Sequence, residues 1–248
     1  MKQATIYIIF LFALSGCGLA YRVILGIDTT LTWKSKQEIE KDFDKQNIPA
    51  GSRYILDTAT YANAIKSEFR IELKKMTDDT VTFDSVQAKL LKTVAKDDLQ
   101  PVQVRYFDNS LQQIFKQVNC YIRVIPMSWN VDNSFDTFPP RISMPALNHR
   151  PKPLDYFLPH LLTLEGEPVT QENLETADYY VLIFWNSFMK RPSKKLIRTV
   201  KSNIAKNPDR KIVILYVNNY NAEIWDKLDP SQKALYKEYL ESGNEIHR

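Results

Sequence analysis

The last third of the chain combines two continuous apolar runs with one amphipathic stretch. Residues 179–185 (YYVLIFW) and 211–217 (KIVILYV) are apolar nearly throughout, which is typical of strands buried on both faces of a sheet. Residues 193–205, between them, carry apolar side chains at helical spacing: Leu196, Ile197, Val200 and Ile204. A strand, a helix and a second strand so close together predict a parallel βαβ unit with a right-handed crossover.

Shorter elements are predicted in the part of the chain before residue 100. Residues 35–47 predict a helix, because Ser35 and Glu38 form a capping-box pattern at its start. A short strand is predicted at 53–56, and amphipathic patterns predict helices at 58–69 and 86–94.

The clearest hairpin signal lies at residues 102–124. Residues 102–107 (VQVRYF) alternate between polar and apolar, and turn-forming residues follow at 108–110 (DNS). Residues 111–124 are then predicted to return as one long strand. The following stretch, 126–159, is rich in Pro, Asn and Ser, which predicts a long irregular connection. Its aromatic residues either line a groove or hold the connection against the core: Trp129, Phe135, Phe138, Tyr156 and Phe157.

These elements predict an α/β protein, α+β overall, with a βαβ core in the C-terminal third. The N-terminal part would add a β-hairpin and helices to that core. The proline-rich steps near residue 150 divide the body into an α+β region, 27–150, and an α/β region, 151–248. A single joint domain over 27–248 is the alternative.

The first residues have the parts of a secretory signal. Lys2 precedes an uncharged apolar run at 4–14, which is followed by small residues. That run is shorter than the roughly 20 residues that cross a bilayer as a helix. The tetrapeptide LSGC, ending at Cys17, resembles the lipobox of bacterial lipoproteins. The resemblance implies cleavage after residue 16, acylation of Cys17 and a lipidated tether over 17–26.

The residues after Cys17 bear on sorting within the envelope. Residue 18 is Gly, not the Asp that often marks inner-membrane retention in lipoproteins, and residues 18–25 contain no acidic cluster. By resemblance we expect an outer-membrane lipoprotein whose body faces the periplasm.

Composition excludes several classes of function. The net charge is only +4 and no basic stripe is interleaved with aromatic residues, so nucleic-acid binding is not predicted. The second of two cysteines, Cys120, has no partner for an intrachain disulfide if Cys17 is lipidated. Three histidines without ligand spacing predict no metal site, and no motif predicts a cofactor.

A second resemblance lies at residues 181–200 (VLIFWNSFMKRPSKKLIRTV). This stretch is similar to the core strand, active-site loop and helix of thioredoxin-like proteins, which read Phe-Trp-Ala-x-Trp-Cys-x-x-Cys-Lys. Trp185 matches the strand end and Phe188 the aromatic residue before the first cysteine. Met189 stands at the nucleophile position, and Ser193, after Pro192, matches the resolving position only with one residue inserted.

The resemblance therefore implies a thioredoxin-like domain that lacks the CxxC motif. Neither methionine nor serine can supply the thiolate that disulfide exchange requires. Only about 30 residues follow residue 217, which leaves little room for the usual terminal hairpin and last helix, and the hairpin at 102–124 is the candidate to fill that place in the sheet. Independently, Lys190, Arg191 and Lys194 at a predicted helix start form a candidate anion-binding group, although a solvated charged face is the default interpretation of such residues.

Three functions follow as hypotheses. The first is a non-enzymatic envelope lipoprotein that binds a protein or another envelope component through a redox-inactive thioredoxin-like domain. The second is a divergent thiol-dependent oxidoreductase or peroxidase that uses Cys120, which stands in an extended context typical of a buried structural thiol. The third is an accessory subunit of an envelope complex.

Overall fold

A computed structural model describes residues 32–78, 97–119, 123–124, 127–142, 151–225 and 230–231. Its helices are α1 (Lys36–Lys45), α2 (Thr58–Asp78), α3 (Leu154–Phe157), α4 (Lys190–Ile204) and α5 (Ala222–Trp225). Its strands are β1 (Arg53–Leu56), β2 (Gln103–Asp108), β3 (Gln113–Val118), β4 (Arg123–Val124), β5 (Met127–Ser128), β6 (Leu161–Leu162), β7 (Tyr179–Trp185) and β8 (Ile212–Asn218). The predicted signal, tether and 86–94 helix lie outside the described residues.

Six strands form one mixed sheet in the order β3-β2-β7-β8-β1-β6. Strands β7, β8 and β1 are parallel to one another. Strand β2 runs antiparallel to β7, β3 antiparallel to β2, and β6 antiparallel to β1. The α/β class is thus confirmed, and strands from both sides of residue 150 share the sheet.

The predicted βαβ unit is confirmed as β7-α4-β8. Strand β7 has six buried residues in succession, because helices cover both faces of the sheet. Its seven residues pair in parallel with β8, from Tyr179 opposite Ile212 to Trp185 opposite Asn218. Helix α4 begins at Lys190, three residues before the predicted start, so its first turn contains Pro192. Proline fits there because the amides of the first turn have no partner within the helix.

The predicted hairpin pairs with β7, which is the position expected for it in the sheet. Strand β2 pairs with β7 over six residues, from Gln103 opposite Phe184 to Asp108 opposite Tyr179. The predicted return strand over 111–124 is wrong in length. Strand β3 ends at Val118, and residues 123–124 instead pair with 127–128 in a separate two-stranded sheet. Just after the end of β3, the Asn119 amide still donates to the Val102 carbonyl at 2.9 Å, and the Gln117 side chain donates to the Trp129 carbonyl at 2.7 Å.

One face of the sheet is covered by α1 and α4. Helix α1 begins with the predicted capping box, in which the Ser35 hydroxyl accepts from the Glu38 amide and the Glu38 carboxylate accepts from the Ser35 amide. Buried Ile39 and Phe43 of α1 share a core with the apolar face of α4, and the Phe43 ring meets Trp185 edge-on, with centroids 5.1 Å apart.

The opposite face is covered by α2, α3 and their flanking turns. Tyr61 and Ile65 of α2 pack with Phe157 of α3 on Phe184 and Leu182 of β7. Asp57 caps α2, since its carboxylate accepts from the Ala59 and Thr60 amides. The two faces of β7 therefore contribute to two separate cores.

The irregular connection after β5 is held to the core by its aromatic residues. Trp129, Phe135 and Phe157 are buried, which favours the anchoring interpretation of these residues over a groove. The Trp129 indole donates to the Pro192 carbonyl of α4 at 2.9 Å. Asn203 of α4 completes the attachment: its amide donates to the Phe135 and Thr137 carbonyls, and its oxygen accepts from the Tyr106 hydroxyl.

We expect Asn203→Ala to lower the free energy of unfolding by about 1–3 kcal/mol, because the buried Tyr106 hydroxyl and the Thr137 carbonyl lose this partner, while the Phe135 carbonyl keeps Lys206. Urea unfolding measures this. Ser202→Ala, at the exposed neighbouring position, is the control and should change stability by no more than about 0.5 kcal/mol. Equal effects of the two variants would contradict the proposed attachment.

Candidate functional site

The loop between β7 and α4 is closed by a network of buried amides. The Asn186 side chain donates to the Pro101 carbonyl at 3.0 Å and to the Asn219 side-chain oxygen at 2.9 Å. Its own oxygen accepts from the Met189 amide at 2.9 Å. Asn219 also donates to the Pro101 carbonyl, at 2.8 Å. The network thereby joins the ends of β7 and β8 to the start of β2.

Ser193 belongs to the same network. Its hydroxyl donates to the Asn186 carbonyl at 2.8 Å and accepts from the Asn186 amide at 3.2 Å. Ser193 and Asn186 are fully buried. Hydroxyl and amide groups at such positions fix a backbone but have no nucleophilic activation, since no base contacts the Ser193 hydroxyl among the described residues.

The structure also places the other residues of the thioredoxin-like motif. Trp185 lies under α1, and Phe188 and Met189 are buried against the α1/α4 core. Pro192 accepts the Trp129 indole through its carbonyl. All of these side chains face the protein interior, so the loop presents little reactive surface of its own.

A charged contact connects this loop to the start of the described chain. The Lys34 ammonium donates to the Ser187 hydroxyl at 2.6 Å, forms an ion pair with buried Asp42, and lies 4.4 Å above the Tyr220 ring. Burial would raise the pKa of Asp42, but hydrogen bonds from Lys34 and Ser187 hold that pKa below its usual value. The residue before Ser35 is thus fixed beside the loop.

A cavity of about 180 Å³ adjoins this contact at the carboxyl ends of β1 and β8. Its wall is mainly apolar and includes Trp33, Ile39, Ile55, Leu164 and Trp225, and Lys34 and Asn221 lie at its polar side. In open α/β sheets, ligands bind outside the carboxyl ends of the strands. This cavity is therefore the concave part of the candidate site.

Two buried donors lie behind the cavity wall. The Trp185 indole nitrogen and the Asn218 amide nitrogen have no hydrogen-bond partner among the described residues. They occupy paired positions of β7 and β8, and Asn218 is also paired with Ile55 of the cavity wall. Buried donors without partners cost free energy, so the hydrogen bonding at this end of the sheet is less favourable than in the rest of the core.

A second polar cluster lies on the α2 face of the sheet. The Asp98 carboxylate receives Arg105 at 2.6 Å, Lys116 at 2.7 Å and Lys152 at 3.2 Å. Burial would raise the pKa of Asp98, but these cations hold it well below its usual range. Burial, together with the charge of Arg105, lowers the pKa of Lys116 to about 8. Glu68 binds Lys152 from the solvent side.

The candidate anion-binding residues Lys190, Arg191 and Lys194 lie in the first turns of α4, which begins earlier in the chain than predicted. All three are exposed. The cavity beside Lys34 is lined by other residues. They belong to a longer row of cations along the outer face of α4.

Several predicted features are not placed by the structure. Cys17, Cys120, His149 and His247 lie outside the described residues. Within the described part of the chain, no group of three His, Cys, Asp or Glu residues is arranged to hold a metal ion. In the same residues, no helix has both the length and the apolar character needed to cross a membrane.

Comparison of the chain with protein-family models, curated proteins and solved structures gave no significant match.

We expect Asn186→Ala to lower the free energy of unfolding by about 2–4 kcal/mol, because the Met189 amide loses its acceptor and the buried Asn219 side-chain oxygen loses its donor. Differential scanning calorimetry or urea unfolding checks this. Asn173→Ala, in an exposed turn, is the matched control. An Asn186→Ala variant as stable as that control would show that the loop does not depend on the network.

The Asp98 cluster predicts a loss of stability in acid. Because the folded-state pKa is lower than the unfolded value of about 3.9, the contribution of Asp98 is present above that pH and is lost as the pH falls below it. Asp98→Asn should lower the unfolding free energy at neutral pH by about 3–5 kcal/mol, since three buried cations lose their carboxylate. It should also flatten the acid arm of the stability profile. Asp155→Asn, at an exposed position, should leave that arm unchanged.

Proposed function

We propose that this chain is a cell-envelope lipoprotein, anchored through Cys17, whose redox-inactive thioredoxin-like domain binds a protein or envelope component. The observation that carries the proposal is the amide network of Asn186, Asn219 and Ser193. It occupies the loop in which a thioredoxin-like enzyme would hold its thiols.

The order and direction of the strands support the thioredoxin-like part of the proposal. A parallel βαβ unit lies at the centre, a third parallel strand flanks β8, and an antiparallel hairpin flanks β7. The hairpin comes from earlier in the chain than the βαβ unit. This is the rearranged order in which the hairpin at 102–124 replaces a terminal one.

The chemistry of the loop supports a binding role over thiol exchange. Disulfide exchange needs an accessible thiolate at the start of the helix. Here Met189 and Ser193 are buried, and the hydroxyl of Ser193 is committed to the backbone of Asn186. A loop fixed in this way supplies rigidity to the neighbouring surface rather than a reactive group.

The cavity between β1, β8 and α1 is the proposed place of partner binding. Its apolar wall between Trp33 and Trp225 is suited to a hydrophobic side chain, with Lys34 and Asn221 available at the polar side. Lys34 is held by Ser187 and Asp42, so the cavity and the loop share one rigid contact. Preorganisation of this kind lowers the entropic cost of binding.

The anchor and the absence of thiol chemistry are tested together. When the full chain is expressed in bacteria with a labelled fatty acid, we expect the label on the wild type and on Cys120→Ser but not on Cys17→Ser. The purified protein should not accelerate insulin reduction by dithiothreitol. Labelling of Cys17→Ser would refute the anchor, and a reductase activity lost in Cys120→Ser would refute the binding role in favour of thiol chemistry.

Partner binding at the cavity is tested by a photo-reactive residue at Lys36, which is exposed on the cavity rim. In cells, we expect a discrete cross-link that is lost in Leu164→Arg, because the new charge enters the apolar wall. Ile142→Arg adds the same charge at another exposed apolar position and should leave the cross-link intact. A cross-link that both variants retain would place binding elsewhere.

A further inference from the structure

The positive charge of this protein is concentrated in one segment. Between Asp178 and Asp209 the chain carries seven basic residues and no acidic one. The remaining 26 basic residues face 29 acidic ones, so the rest of the chain has a net charge of −3 although the whole chain has +4. A segment with this composition is a candidate for an anionic partner.

Helix α4 displays most of this charge on one exposed face. Leu196, Ile197 and Val200 point into the core, so the helix is fixed on the sheet by its apolar side. Exposed cations cover the opposite side: Lys190, Arg191, Lys194, Lys195, Arg198 and Lys201. Lys190, Lys194 and Arg198 are spaced by four residues and therefore form a row along the helix. The 15-residue helix is about 22 Å long, and the row from Lys190 to Arg198 extends over about 12 Å of it.

The surroundings of the row are suited to a flat partner. Acidic groups on the connecting segment lie at the far end of α4, where Lys206 reaches Asp136 at 3.9 Å. Lys190, Lys194 and Arg198 are all exposed on the outer side of α4. An extended row of flexible cations on a convex helix fits a surface of many anionic groups better than a single small anion.

Lys34, which precedes α1, lies at the same end of the molecule as the start of α4. Lys34 contacts Ser187, three residues before α4, at 2.6 Å. The stretch from Cys17 to Thr32 reaches at most about 50 Å when fully extended. An acylated Cys17 would therefore keep the first turn of α4 within reach of the bilayer.

We infer that the outer face of α4 lies on the anionic surface of a phospholipid bilayer. The inference rests on the proposed lipid anchor and names the envelope component that the body contacts. Phosphate groups of the headgroups attract the cations, and the contact is screened by salt because the cations remain exposed. The anchor supplies attachment, and the cationic row sets the orientation of the body.

The test uses the full chain, purified from bacterial membranes and reconstituted into vesicles of phosphatidylcholine alone or mixed with phosphatidylglycerol. The readout is the rate of lysine acetylation, quantified by mass spectrometry. In the mixed vesicles at low salt, we expect Lys190 and Lys194 to react at least about 5-fold more slowly than in the neutral vesicles. High salt should abolish the protection, and Lys66 and Lys74 of α2 should react equally in both.

A matched pair of triple variants completes the test. K190Q/K194Q/R198Q should lose the protection of Lys195, and K66Q/R70Q/K74Q should retain it. The control removes three exposed cations with the same spacing from α2, which covers the opposite face of the sheet. Both variants change only exposed positions, so neither should alter folding.

The outcomes separate this inference from the anchor. The bilayer contact is overturned if Lys190 and Lys194 react equally in both kinds of vesicle while Cys17 is still labelled by fatty acid. The cationic face would then be suited to binding an acidic protein instead. Loss of protection in the α2 control variant also overturns the bilayer contact, because the effect would then follow net charge alone. If Cys17 carries no label, the proposed anchor is refuted. Salt-sensitive protection in the mixed vesicles would still support contact between the cationic face of α4 and the bilayer.

Discussion

The antiparallel ladder between β2 and β7 is the contact on which this architecture depends. It joins the hairpin to the βαβ unit with six residue pairs in register, although the whole segment from 109 to 178 separates the two strands in sequence. Because β7 then has a partner on each edge and helices on each face, its apolar run becomes the centre of two cores. Without the ladder, β7 would be an exposed hydrophobic edge, and the Asn186 amide would lose Pro101.

In the function proposed above, the loop after β7 contributes rigidity rather than a reactive group. In a thioredoxin-like setting, the start of the helix after the first core strand favours a thiolate. Here Asn186, Ser193 and Asn219 use the same position to connect three strand ends by hydrogen bonds. Rigidity at this edge is useful for a binding surface because the neighbouring cavity and Lys34 keep their geometry before a partner arrives.

The sequence predicted best what depends on local periodicity, and it predicted the candidate site only in part. The apolar runs of β7 and β8 and the capping box of α1 are local signals, and the structure confirms the elements they predict. The end of β3 at Val118 was missed because apolar residues continue past it in the sequence, to Val124. The amide network was missed because it depends on Pro101 and Asn219, which are distant from the loop in sequence. The absence of acidic residues between Asp178 and Asp209, by contrast, can be read from the sequence alone, and this segment contains α4.

The strand order also constrains how the chain acquires its structure. Strand β1 ends at Leu56, whereas its parallel partner β8 begins only at Ile212. Strand β2 ends at Asp108, and its partner β7 begins only at Tyr179. Contacts of such long sequence separation form slowly, because loop closure precedes any gain from pairing. The part of the chain before β7 thus cannot complete the sheet until the last strands are available, so the sheet closes only when nearly the whole described chain is free to fold.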